Sequence, residues 1–145
     1  MMSAIMQIPQ ELQAHFPHPA LIIVADHSHA QFWLAHNDNM EDMEVVEAPK
    51  DEYSDKEGRA IGQEISNDHN EHHYIHALVD RIEDFVNEDA AEFIHLAMPA
   101  DIAHAIIDHS SEAVQSKILM QVHGSFVKED PLEIVKRLYS QKPVI

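Results

Sequence analysis

The stretch Ala20–Ala25, ALIIVA, is six apolar residues without a break. A strand with one face in water alternates apolar and polar residues. An unbroken run of this length, rich in β-branched side chains, suits a strand covered on both faces. A sheet with layers on both sides points to an α/β architecture rather than a bundle of helices. DHSH then supplies a turn, and AQFWLAH reads as the next strand. Phe32 and Trp33 are adjacent on it, so they must face opposite sides of the sheet. After NDN, DMEVVEA supplies a third strand, and the first third of the chain reads as a β-meander. Residues 1–18, with two prolines and the helical-looking QELQAHF, are expected as a lead-in segment.

From Pro49 to Asn67 no apolar period is visible, so this part is expected as a long loop. Asp68 and Glu71 have the spacing of a capping box and predict a helix that opens at Asp68. Ile75, Leu78, Val79, Ile82, Phe85 and Val86 give that helix an apolar stripe. AEFIHLAMP reads as a fourth strand stopped by Pro99. DIAHAIIDH and SSEAVQSKI read as short helices, each opened by Asp or Ser. LMQVHGSFV holds a fifth strand, and DPLEIVKRLYSQ is a closing helix with Pro131 at its first position. The expected order is βββ-α-β-α-α-β-α, a mixed five-stranded sheet with helices packed on its faces. Residues 19–145 are expected to form one domain.

Charge narrows the function. The 145 residues carry 26 acidic and 9 basic side chains, a formal net charge of -17. Binding a phosphate backbone depends on Lys and Arg, so direct nucleic-acid binding is not expected. Cysteine is absent, which removes disulfides, thiolate nucleophiles and Cys-bearing zinc sites. Residues 1–49 hold no Lys or Arg, so the charged start of a signal peptide is missing. No apolar run approaches the length of a membrane span, and the expectation is a cytoplasmic protein without a membrane partner.

Thirteen histidines are the other unusual feature. In DHNEHHYIH, His69, His72, His73, His76 and Asp80 fall on one flank of the expected helix, beside the apolar stripe. His69/His73 and His72/His76 are i, i+4 pairs, the spacing at which two imidazoles can share a metal. The third ligand would be Asp80 or a residue from elsewhere. Zinc is the one cofactor this pattern suggests, and the plain alternative is a polar helix flank. A Mg²⁺-dependent nuclease would need converging carboxylates. Asp26, Asp80, Asp84 and Asp101 are the available ones, and they make an incomplete set.

The element order, the opening IIVADHSHAQFW, the loop SDKEGR, the helix with early histidines and the strand FIHLAMPADI are similar to a bacterial family known as the host-attachment proteins. The resemblance covers roughly residues 19–140 and rests on several short motifs in the right order. It implies the fold of the middle domain of archaeal and eukaryotic peptide release factors and of Pelota. That fold is a translational-machinery-component fold with an RNase H-like sheet. In those factors a Gly-Gly-Gln loop after the meander assists hydrolysis of peptidyl-tRNA. The comparable place here is Ile61-Gly62-Gln63. Gly62 and Gln63 match, but Ile61 replaces a glycine, and a β-branched residue disfavours backbone angles that glycine allows. The decoding domain that accompanies this fold in release factors is not expected here.

The favoured reading is therefore a non-enzymatic binding or regulatory module linked by resemblance to translation, with the ribosome or translation factors as partners. Gly58, Arg59, Gly62 and Gln63 would form its partner-binding loop. One alternative is a peptidyl-tRNA hydrolase or rescue-like factor acting through Gly62 and Gln63. The other is a histidine-based metal-binding or pH-responsive protein. Composition and spacing leave the oligomeric state open.

Overall fold

The structure is a computed structural model that describes residues 5–13, 16–48 and 60–140, without the side chains of residues 11, 12, 60–71 and 140. Strand β1 is Ile5–Gln7 and helix α1 is Gln10–Gln13. The meander follows as β2 (Ala20–Ala25), β3 (His29–His36) and β4 (Asn39–Glu47). Helix α2 is Ala60–Asn87, β5 is Phe93–Met98, α3 is Ala100–His109 and α4 is Glu112–Lys117. Strand β6 (Ile118–His123) and helix α5 (Pro131–Ser140) complete the order.

The strands form one mixed sheet in the order β1-β4-β3-β2-β5-β6. Strand β2 pairs antiparallel with β3 and parallel with β5, and β6 extends the parallel side. All six residues of β2 are buried, as the unbroken apolar run requires. Period-2 alternation divides them between two cores. Leu21, Ile23 and Ala25 face the layer of α2, α3 and α4. Ala20, Ile22 and Val24 face the other side, with Phe126 and the α5 residues Ile134, Val135 and Leu138. Phe32 goes to the first core and Trp33 to the second. Phe32 lies nearly parallel to Phe85, their ring centroids 5.7 Å apart.

Helix α2 meets the sheet through the expected stripe. Ile75, Leu78, Val79, Ile82, Phe85 and Val86 are all buried, with Tyr74 one turn before Leu78. Each such side chain contributes about 1.5–3 kcal/mol when taken out of water, and that packing holds the helix to the sheet. Helix α3 adds Ile102, Ala103 and Ile106 to the same core. Ser111 caps α4 by accepting a hydrogen bond from the Val114 amide. Its own amide and hydroxyl donate to Glu83 of α2. Pro131 opens α5 as expected, and Asp130 accepts from the Leu132 amide just inside it.

Two expectations are corrected. The sheet has six strands, because Ile5–Gln7 pairs antiparallel with β4. Three residues are too few to show a period, yet the outer edge of β4 offers unpaired backbone groups to any adjacent strand. The lead-in segment is stitched down further. Ile8 and Phe16 are fully buried, the Ile8 amide donates to Asp38 O, and the Asn37 amide donates to Phe16 O.

The second correction concerns the long loop. Helix α2 begins at Ala60, eight residues ahead of the expected start at Asp68. Asp68 and Glu71 lie within it and do not open it. Residues 60–67 lack an apolar stripe, but Ala, Gln and Glu are good helix formers. Periodicity reports which helix faces are packed, and residues 60–67 offer no such period from which a start could be read. Among the described residues no helix is long and apolar enough to cross a membrane.

Candidate functional site

Of the four loop residues singled out from the sequence, the structure describes Gly62 and Gln63. Gly58 and Arg59 lie outside the described residues. Ile61, Gly62 and Gln63 occupy the first turn of α2, not a loop tip. A turn of helix fixes the backbone in the right-handed region and does not present a Gly-Gly-Gln-like turn.

The histidine flank fares differently. His69 is on α2, with its side chain outside the described set. His72, His73, His76 and Asp80 are all exposed on the helix. His72 and His76, one turn apart, bring their Nε2 atoms to 3.0 Å and their ring centroids to 4.4 Å. A third ring joins them from a different helix. His109, the last residue of α3, stands 5.3 Å from His76 and 6.1 Å from His72 between centroids. The Nδ1 of His109 lies 3.0 Å from the carbonyl oxygen of Ala105, one turn back. A carbonyl can only accept, so Nδ1 carries the hydrogen and donates. In the neutral ring this leaves Nε2 with a free lone pair.

The fold explains the meeting. Helices α2 and α3 share one core through Val79, Ile82, Ile102 and Ile106. His72 and His76 run alongside the buried stripe of α2, and His109 follows Ile106 by one turn. Sequence reasoning missed His109, although a signal was present. Ile102, Ile106 and His109 have the i, i+4, i+7 spacing of one helix face, which puts the histidine at the rim of the packed side.

The carboxylates proposed for a nuclease do not gather. Asp26 closes a turn at the end of β2. Its Oδ1 accepts from the amides of Ser28 (2.8 Å) and His29 (2.7 Å). Burial pushes the Asp26 carboxyl up, but these backbone hydrogen bonds outweigh it and hold the group below its ordinary value. Asp84 accepts from Arg81, and Arg81 also donates to Glu44 on β4. Asp101 accepts from His27 at 2.8 Å, and this bond holds it below the usual carboxylate range. Asp26, Asp84 and Asp101 are thus each engaged in a separate contact, and Asp80 stands exposed on α2. Near the ends of β2 and β6 lies an open hollow of about 240 Å³, lined by Asp26, Ser125, Val127 and Lys128. Tyr74, buried in the α2 core, donates its hydroxyl to the Asp26 carbonyl at 2.9 Å. Burial first, and the Asp26 charge second, raise the pKa of that phenol.

No protein-family model matches the chain, and no curated protein matches it. Among solved structures it is similar to one described as "Archaeal protein", at 12% identity and a TM-score of 0.42. The match covers 84% of this chain and 36% of that one, so the chain spans little more than a third of the length of the protein it matches.

Proposed function

We propose that the chain is a non-enzymatic binding or regulatory module acting on components of translation, built on an RNase H-like sheet. The observation that carries this reading is strand order. Apart from the short edge strand β1, the sheet runs β4-β3-β2-β5-β6. That is an antiparallel meander continued by two parallel strands, which supports the RNase H-like sheet implied by the resemblance to host-attachment proteins and release-factor middle domains. The step from fold to translation is analogy, and an experiment has to carry it. The hydrolase alternative is disfavoured by the placement of Ile61-Gly62-Gln63 in a helical turn.

The test is affinity purification of the chain from its native cell. Ribosomal components are expected to co-purify, and Arg59→Glu is expected to reduce their recovery while Gln63→Ala leaves it unchanged. Absence of ribosomal components would remove the link to translation. Gln63-dependent release of labelled peptide from peptidyl-tRNA on ribosomes would replace this reading with the enzymatic one.

A further inference from the structure

We propose that His72, His76 and His109 form a three-histidine site for a divalent transition metal of the zinc class, with the fourth position open to solvent. The proposal is independent of any link to translation and rests on the geometry of two packed helices. Neutral imidazole is a good ligand for zinc and its neighbours in the transition series, and a poor one for magnesium or calcium.

Distance supports a shared ion. Two imidazole nitrogens on one tetrahedral zinc, each about 2.0–2.1 Å from it, stand about 3.3 Å apart. The Nε2 atoms of His72 and His76 are 3.0 Å apart. As the rings stand, that contact is an N–H···N hydrogen bond, in which one ring lends the other a proton. A metal between them takes both Nε2 lone pairs, and the ring that donated moves its hydrogen to its own Nδ1 by exchange with solvent, so both imidazoles ligate as neutral rings. His109 is prepared in a different way. Its Nδ1–H is committed to the Ala105 carbonyl, so Nε2 is the nitrogen left to ligate. Backbone carbonyls orient metal-binding histidines in this manner in general.

The three donors are not yet gathered on a single point among the described residues. The widest separation, 6.1 Å between His72 and His109, must close as the ion binds. All three rings are exposed, so they can turn without disturbing the core. The formal charge of -17 raises the local concentration of cations. The site also differs in kind from the one that spacing alone suggests. His69 and His73 are another i, i+4 pair on the same helix, and Asp80 lies one turn past His76. The structure favours His109 over all three, because it brings a third imidazole from a second helix.

The test uses the full chain without an affinity tag, titrated with Zn²⁺ by calorimetry and with Co²⁺ by visible absorption. One ion is expected per chain, and Co²⁺ is expected to give the intense visible bands of a tetrahedral site. His109→Ala is expected to weaken binding at least tenfold and to abolish those bands. His76→Gln, which keeps size and polarity, is expected to do the same. His73→Ala is expected to leave both readouts unchanged. Absence of one-to-one binding would overturn the proposal. So would binding that survives His109→Ala, which would mean that α2 alone holds the ion. Loss on His73→Ala would transfer the site to the other pair and overturn it equally.

Discussion

Histidine occurs on both faces of this sheet, and the two environments put it to opposite uses. His95, on β5, points into the core beneath α5 and is fully buried. His72, His76 and His109 stand on the other face, at the outer rim of α2 and α3, and are exposed. The His95 Nε2 lies 2.7 Å from the Tyr139 hydroxyl, and the two rings meet edge to face. Phe16 meets Tyr139 edge to face as well. A polar group in such a place must keep a fixed partner, because losing the partner costs the full desolvation of what remains. The exposed rings carry no such penalty, and water can stand in for any partner they lose. Burial turns one histidine into part of the frame, whereas exposure leaves three able to exchange partners.

The comparison breaks hardest at Phe16. This residue is fully buried and backs Tyr139 from the lead-in segment. Phe16→Ala should cost about 3–5 kcal/mol, the usual range for emptying an aromatic core position, read as a fall in the urea midpoint. A cost near zero would mean that the lead-in segment is not part of the folded unit.

A finer cut is Tyr139→Phe, which keeps the ring and removes the hydroxyl that faces His95. The expected loss is about 1–3 kcal/mol, since a buried nitrogen is left without that partner. Burial pushes the Tyr139 phenol up to about 12 from its ordinary value of 10.0. A raised folded pKa means that the folded state favours the protonated phenol. Its contribution is full below the ordinary value and fades as pH rises through the folded one. Between roughly pH 10 and 12 the wild-type protein should therefore lose stability, and Tyr139→Phe should flatten part of that fall. Tyr74, also raised by burial, keeps the remainder.

The two histidine environments were not equally legible in the sequence. Strands β2 to β6 and the packed half of α2 announced themselves, because burial on a sheet or helix face imposes a period on the residues. The same logic placed His72 and His76 together, as they are one turn apart on one helix. His109 lies more than thirty positions away in the chain, and only the packing of α3 on α2 brings it near. His95 looked like one more residue of the strand FIHLAMP, since its polar partner, Tyr139, comes from the last helix. The start of α2 at Ala60 was hidden for the opposite reason. Residues 60–67 show no apolar period in the sequence, so nothing there marks a helix.

The smallest expected effect sharpens the contrast most. His72→Ala, His76→Ala and His109→Ala, each unfolded by urea in the presence of a chelator, should shift stability by no more than about 0.5 kcal/mol, as exposed substitutions usually do. The argument follows from exposure. The Nε2 contact between His72 and His76 exchanges freely with water, so its net worth is small. The Ala105 carbonyl that His109 engages is already within a helix, and losing an exposed side-chain donor leaves it little changed. With added Zn²⁺ the same three variants should separate from the wild-type protein, which gains more stability than they do by binding an ion that the unfolded chain holds less well. A large loss in chelator for any of the three would show that the exposed rings are structural after all. The distinction between the two faces of the sheet would then fail.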